Sequence, residues 1–597
     1  MRSVERVSGE RMGADAGSAR GTDEEGRGAH DRGVAERAGA DEGVDVVVPT
    51  PSGRVRGRWE PVGSPTSLAL GRPRATVAAF RGIPYAEAPV GDLRFAAPVP
   101  IAPWDGVRDV REPGPTPQRV GDPRALIPEP SVPGDEILNV TVLTPDPSPA
   151  ARLPVLVWIH GGGYTTGSPA SPWYGNGAFA RDGVVTVLVS YRLGFDGFGW
   201  IEGAPQNRGV RDWLCALEWV QRHVAAFGGD PDHVTVAGQS AGGGAVLTLL
   251  GMRAAAGLLA RAWAASPALA DVPEQTARAL AARLGDRLGI GAHGGVPTLE
   301  VLRRAGERDV LRAQPGARRG AGRGLYRLAD ELLALGPVVD GDLLEQPTLD
   351  ALAAGAGRTV PLVVGGMHDE LLLTDALAPR WLRVALRAIP PAVTLGAAHV
   401  DRATRRAYVA ANSDAADEGA GGLAARYLSD LVFGGTIVGA ASARERAAHP
   451  HAQERRRLEH PDAAVRAGVA EPPPAGPTAA TWTYRFDWAS PTRGGAVHCV
   501  DVPFAFDALG DDHADRLVGA DAPQALADVV HGAMARFAEH GDPGWQPWSE
   551  APGATRILGA SDALAPGARA PIVDAAGWSR VAPLIASGIA PRRPRAH

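Results

Sequence analysis

Val234-Thr235-Val236-Ala237 runs into Gly238-Gln239-Ser240-Ala241-Gly242 and then into Ala245-Val246-Leu247-Thr248-Leu249-Leu250, which predicts a strand, a sharp turn and a helix. Such a turn lifts a serine hydroxyl clear of the backbone and sets it at a helix N-terminus, where free N–H groups and the helix dipole favour developing negative charge. Gly238 and Gly242 permit a reversal that a Cβ would obstruct. Ser240 is therefore the candidate nucleophile. A serine acts as one only beside a base that takes its proton, and the base needs an acid that fixes its tautomer and stabilises the imidazolium. Glu370 follows closely on the apolar run Val360-Pro361-Leu362-Val363-Val364, and His498 stands in the Gly/Ala-rich loop Gly495-Ala496-Val497. The chain order serine, acid, histidine is that of serine enzymes built on a doubly wound sheet.

These groups meet only if a sheet presents them together. Pro154-Val155-Leu156-Val157-Trp158-Ile159 and Val184-Val185-Thr186-Val187-Leu188-Val189 are short, continuously apolar runs, the pattern of strands buried on both faces of a mainly parallel sheet. Between the second run and the serine strand, Asp212 to Val224 has helical spacing with Leu214, Leu217, Val220 and Val224 on one side. Strand, helix and strand in this order imply a parallel crossover, which puts chemistry at the carboxyl ends of the strands. The first of those strands ends in His160-Gly161-Gly162-Gly163-Tyr164, whose glycines expose backbone N–H groups that no side chain shields, as an oxyanion hole requires.

Elsewhere, Val46-Val47-Val48, the turn Ser52-Gly53 and Arg54-Val55-Arg56-Gly57 predict a hairpin. Phe80 to Phe95 is dense in Gly and Pro and reads as an ordered loop, and Thr481 to Trp488 alternates as a strand. Pro472-Pro473-Pro474 reads as a surface connection within the Ala/Arg-rich stretch 414–477.

Residues 1–44 are nearly empty of large apolar groups and are expected to be a disordered tail, followed by one domain over 45–585 and a flexible tail over 586–597. The net charge of −6 gives no basic footprint for nucleic acid, and all 61 basic residues are arginine. Two cysteines, Cys215 and Cys499, rule out a disulfide framework and are expected as free thiols. No apolar run has membrane-spanning length and the N-terminus lacks a secretory core, so a cytoplasmic protein is expected.

With these residues in hand, the chain resembles the type-B carboxylesterases, a family of α/β-hydrolase fold that includes para-nitrobenzyl esterases and cholinesterases. The resemblance spans about Val46 to Trp578 and rests on the Phe80–Phe95 loop, the glycine run at 161–163, Ser190-Tyr191-Arg192-Leu193-Gly194, Asn207-Arg208-Gly209, Ala216-Leu217-Glu218-Trp219-Val220-Gln221, Phe227-Gly228-Gly229-Asp230-Pro231 and the serine turn. It implies a large, mostly parallel sheet with helices on both faces, a Ser240–Glu370–His498 triad and oxyanion donors on the N–H groups of Gly162, Gly163 and Ala241. It implies ester hydrolysis through an acyl-enzyme on a small-molecule substrate, with no metal or organic cofactor and no nucleic-acid or membrane partner, and it leaves the oligomeric state open. Tyr164 is a candidate for lining the substrate pocket, and Arg94 with Asp135 for a structural ion pair.

The chain departs from the family pattern in places. Thr116-Pro117-Gln118 and Asp135-Glu136-Ile137-Leu138 lack the cysteines of a usual disulfide, Gln239 stands where many relatives carry Glu, and Asp369-Glu370-Leu371 replaces Asp-Glu-Gly, which makes Asp369 a rival acid. Two alternatives stand beside the esterase reading. One is a noncatalytic, cholinesterase-like binding protein, although such relatives typically lose a triad member. The other is a same-fold amidase, thioesterase or acyltransferase.

Overall fold

The computed structural model describes residues 43–62, 75–121, 125–290, 295–319, 330–371, 395–396, 398, 400–448, 478–559, 562 and 572–590. The expected N-terminal tail (except for residues 43 and 44) and Pro472-Pro473-Pro474 lie outside these residues. The expected C-terminal tail is described through Ala590, which is buried against Leu584.

The strands are β1 (Asp45–Thr50), β2 (Gly53–Val62), β3 (Ala75–Pro84), β4 (Val107–Asp109), β5 (Asn139–Thr144), β6 (Leu153–Ile159), β7 (Val185–Val189), β8 (Gly229–Gln239) and β9 (Arg261–Ala265). They continue with β10 (Val272–Pro273), β11 (Val338–Val339), β12 (Leu362–Met367), β13 (Thr481–Phe486), β14 (Thr555–Leu558) and β15 (Val573–Asp574). One sheet takes the order β1-β2-β3-β5-β7-β6-β8-β9-β12-β13-β14-β15, with β4 beside β2. From β7 through β14 every pairing is parallel, and along this order the flanking pairings are antiparallel, while β4 pairs parallel with β2.

The expected hairpin forms as β1 and β2, paired from Asp45↔Arg58 to Thr50↔Gly53. The Phe80 to Phe95 stretch is only partly the loop expected: Phe80–Pro84 finishes β3 and pairs with β5. Its Gly and Pro stand at a register shift between Phe80 and Ile83 and at the strand end, positions where a ladder tolerates them.

The continuous apolar runs are strands because both their faces are covered. Along β6, Val155, Val157 and Ile159 enter one core while Leu156 and Trp158 enter the other, and β7 divides Val185, Val187 and Val189 from Leu188 in the same way. Helix α1 (Arg208–His223) covers the first face with Val210, Trp213, Leu217 and Val220. It starts four residues before the sequence reading put it, and Leu214 is only partly buried. Helix α2 (Ala241–Gly251) buries Ala245, Val246 and Leu249 in the same core. On the opposite face α3 (Gln524–His540) contributes Leu526, Val530, Met534 and Phe537.

The crossover from β7 through α1 to β8 brings β7 and β8 to either side of β6. The loops that leave β6, β8, β12 and β13 at their carboxyl ends carry the glycine run, Ser240, Glu370 and His498 respectively. A buried ion pair, Arg192–Asp212 at 2.6 Å, ties the loop after β7 to α1.

Candidate active site

Ser240 sits between β8 and α2 with φ 60° and ψ −122°, a conformation that an L residue keeps only when its surroundings enforce it. Three backbone bonds do so. The Ser240 N–H donates to Ala265 O (3.0 Å), and the Ser240 carbonyl accepts from Gly244 N (2.9 Å) and Ala268 N (2.9 Å). The flanking glycines are required by close approach: a Cβ on Gly242 would lie 1.9 Å from Ile159 O, and one on Gly238 would lie 2.5 Å from Gly242 C. The turn is thus wedged against the end of β6.

His498 Nε2 lies 2.9 Å from Ser240 Oγ, and His498 Nδ1 lies 2.5 Å from Glu370 Oε2. With the carboxylate accepting from Nδ1–H, Nε2 is left as the acceptor for the serine hydroxyl. The His498 backbone N–H also donates to Glu370 O at 3.0 Å. Glu370 is buried and its second oxygen accepts from Met367 N at 2.9 Å, so both carboxylate oxygens are engaged. Burial disfavours the imidazolium, but Cys499 and Glu370 beside it outweigh that effect and hold the His498 pKa well above the ordinary histidine value. The value of about 6.5 expected of a free imidazole therefore does not apply.

Asp369, the rival acid, faces elsewhere. Its carboxylate accepts from Arg426 (2.8 Å), contacts His368 Nδ1 (2.9 Å) and accepts from Ala496 N (3.2 Å). Burial alone would raise its pKa, but His368 and Arg426 pull it down to about 2. Of the two adjacent acids, the structure brings Glu370 to His498.

Gly161 packs directly under Ser240, where a Cβ would come within 2.9 Å of the serine Cβ. Gly162 and Gly163 follow with φ 112° and 58°, and Ala241 opens α2, whose first N–H groups have no intrahelical acceptor. His160 is fully buried, stacks on Tyr191 and bonds Gly161 O through Nδ1 at 2.8 Å, and burial lowers its pKa to about 4. It is a neutral side chain that braces the glycine run.

Two sequence expectations are corrected. Tyr164 does not line a substrate pocket: it is fully buried with its hydroxyl donating to Ala268 O (2.8 Å) and its ring edge-on to Phe198, because its positive φ of 62° turns it beneath α2. Arg94 pairs with Asp196 (3.2 Å) and Ala305 O (2.6 Å) rather than Asp135. Both cysteines are buried and free, as expected.

Two neighbours of His498, Phe433 and Asp501, escaped the sequence reading, and a third, Gln239, was noted there only as standing where many relatives carry Glu. Phe433 packs its ring on His498 at 4.8 Å between centroids, presented by a single π-helical turn, Asp430–Gly434. Such turns in longer helices frequently accompany functional sites. Gln239 places Nε2 3.2 Å from His498 Nε2 and 3.3 Å from Cys499 Sγ. Asp501 is buried behind them, and burial and the nearby Glu370 raise its pKa to about 7.

Among the described residues no cluster of three His, Cys, Asp or Glu side chains could hold a metal ion, and no helix is long and apolar enough to cross a membrane.

A strand–turn–helix serine above a mostly parallel sheet, with helices on both faces, is the architecture of the α/β-hydrolase fold. The model of the carboxylesterase family matches residues 44–385. The chain is 30% identical over 503 residues to the para-nitrobenzyl esterase of Bacillus subtilis (strain 168), covering 80% of this chain and 90% of that one. It is 32% identical over 492 residues to the phenmedipham hydrolase of Pseudarthrobacter oxydans, covering 78% and 86%. Among solved structures, a para-nitrobenzyl esterase superposes with a TM-score of 0.67 at 27% identity (90% of this chain, 98% of the other). The Geobacillus stearothermophilus carboxylesterase superposes with a TM-score of 0.68 at 28% identity (90% and 99%). This chain belongs to the carboxylesterase family and is a carboxylic ester hydrolase.

Proposed function

We propose that the protein hydrolyses small-molecule carboxylic esters through an acyl-enzyme on Ser240. The observation that carries this reading is the unbroken chain from Ser240 Oγ to His498 (2.9 Å) to Glu370 (2.5 Å) at the carboxyl edge of the sheet. His498 Nε2 takes the hydroxyl proton as Ser240 attacks the ester carbonyl. The resulting oxyanion is received by the N–H groups of Gly162, Gly163 and Ala241, and Glu370 stabilises the imidazolium through Nδ1. His498 then gives its proton to the departing alcohol. Water gives a proton to the same imidazole as it attacks the acyl carbon, and His498 returns that proton to Ser240 Oγ as the bond to the acyl carbon breaks and the carboxylic acid leaves. Phe433 on one side of the imidazole leaves it little freedom to tilt away from the serine.

The test is covalent. A fluorophosphonate should add one phosphonyl group to the wild-type chain, read by intact mass and mapped to Ser240, and none to Ser240→Ala. Turnover of p-nitrophenyl esters should be lost in parallel. Labelling at another residue, or unchanged turnover in Ser240→Ala, would overturn the assignment.

A further inference from the structure

Arg318 ends the helix Glu307–Arg318, and its half-buried side chain reaches back toward the glycine run. The guanidinium donates to Glu331 O through Nε (3.0 Å) and Nη2 (2.8 Å) and to Leu332 O through Nη2 (3.0 Å). Its Nη1 lies 3.5 Å from Thr165 Oγ1. Both Thr165 and Leu332 lead to the glycines. The Thr165 N–H donates to Gly162 O at 3.1 Å, and Leu332 O stands 3.6 Å from where a Cβ on Gly163 would be. Apart from the chain neighbours of Gly163, no other heavy atom of the described residues comes within 4 Å of that point, so there is room beside this proposed oxyanion donor. A cation is thus held one carbonyl away from the glycine run.

Among the described residues that cation has no counter-ion: its acceptors are two backbone carbonyls and a hydroxyl, all neutral. Burial pulls its pKa down, and the Glu331 carboxylate opposes this only in part. Arginines elsewhere around the site are paired, Arg426 with Asp369 and Asp414 and Arg192 with Asp212. Keeping a partly desolvated charge unpaired is costly, and the helix C-terminus that carries it relieves only a fraction. Bracing the carbonyls of Glu331 and Leu332 occupies Nε and Nη2, whereas Nη1, with two N–H groups, has among the described residues only the long contact to Thr165. A planar fork with a donor to spare suits a carboxylate. We propose that Arg318 is a specificity-determining residue that binds a carboxylate carried by the substrate a few bonds from its scissile carbonyl, which makes acidic esters the preferred substrates. This rests on the Ser240–His498 reading above, since Gly163 lies beside the substrate only if the oxyanion forms there.

Two pairs of esters separate recognition from bracing. Mono-p-nitrophenyl adipate against p-nitrophenyl hexanoate puts the charge on the acyl side, and 3-carboxyphenyl hexanoate against phenyl hexanoate puts it on the alcohol side. In at least one pair, Arg318→Met should lower kcat/KM for the anionic ester about tenfold or more, as for loss of a hydrogen bond between charged groups, and leave the neutral ester within about threefold of wild type. The pair that responds tells which side of the ester carries the carboxylate. Arg318→Gln, which keeps a donor for the Glu331 and Leu332 carbonyls but no charge, should show the same selective loss. A brace alone would change both members of each pair equally, and that result would overturn the proposal. Thermal melts establish that each variant is folded, and the Gln variant decides the question if Met does not fold. Failure here with Ser240→Ala still inactive removes only the role of Arg318, whereas an active Ser240→Ala removes the reading beneath it.

Discussion

Asp369 and Glu370 are adjacent in the chain, yet their carboxylates serve opposite partners: Glu370 accepts from His498 at 2.5 Å, and Asp369 accepts from Arg426 at 2.8 Å. Substitution should separate them. Glu370→Gln should lower kcat by about 10⁴, the scale seen when a triad acid is replaced by its amide. Asp369→Asn should keep kcat within about tenfold and instead cost about 1–3 kcal/mol of stability by depriving Arg426 of a partner. Steady-state kinetics and denaturant melts of both variants check this, and the reverse pattern would make Asp369 the acid.

Ser240→Ala should lower kcat by on the order of 10⁶, because members of a triad act as a unit. Adding His498→Ala to it should cost little more, measured with a p-nitrophenyl ester at high enzyme concentration.

The activity of the wild type should depend on pH through His498. In the proposed mechanism the neutral imidazole is the base, and Cys499 and Glu370 hold its pKa well above the ordinary value against the opposing effect of burial. The imidazolium therefore persists to higher pH, and kcat/KM should rise along an acid limb centred above the roughly 6.5 of a free imidazole. A limb at or below that value would contradict the electrostatic setting described.

Asp501 should impose a pH dependence on stability. Burial and Glu370 raise its native pKa to about 7, whereas an unfolded aspartate titrates near about 3.9. Between these values the native state binds more protons than the unfolded state, so this group's contribution to stability declines as pH rises through the window. Asp501→Asn should consequently raise Tm relative to wild type at pH 8, and the gain should shrink toward pH 5. A gain independent of pH would show that the carboxyl does not titrate in this range.

Gly242→Ala should fail structurally before it fails chemically. Its Cβ would stand 1.9 Å from Ile159 O, a backbone atom that cannot swing away. Overpacking of this kind costs about 1–3 kcal/mol or more, measurable as a lower denaturation midpoint, and should reduce labelling of Ser240.

Much of this was legible in the chain because the parallel strands are buried on both faces and so read as unbroken apolar runs, β6 and β7 above all. The serine turn was legible because glycine at 238 and 242 answers a local steric demand. What escaped depended on contacts between residues far apart. The partner of Arg94, the burial of Tyr164 beneath α2 and the π-turn that delivers Phe433 to His498 leave no periodicity behind. The choice between Asp369 and Glu370 was equally closed to spacing, since one residue's difference in register decides which carboxylate meets the ring.

His498 and Glu370 are fastened twice, once by side chains and once by the His498 N–H on the Glu370 carbonyl. The loop after β13 is thereby tied to the loop after β12 through side chain and backbone alike, so losing the Glu370 carboxylate would remove one tie and leave the other in place.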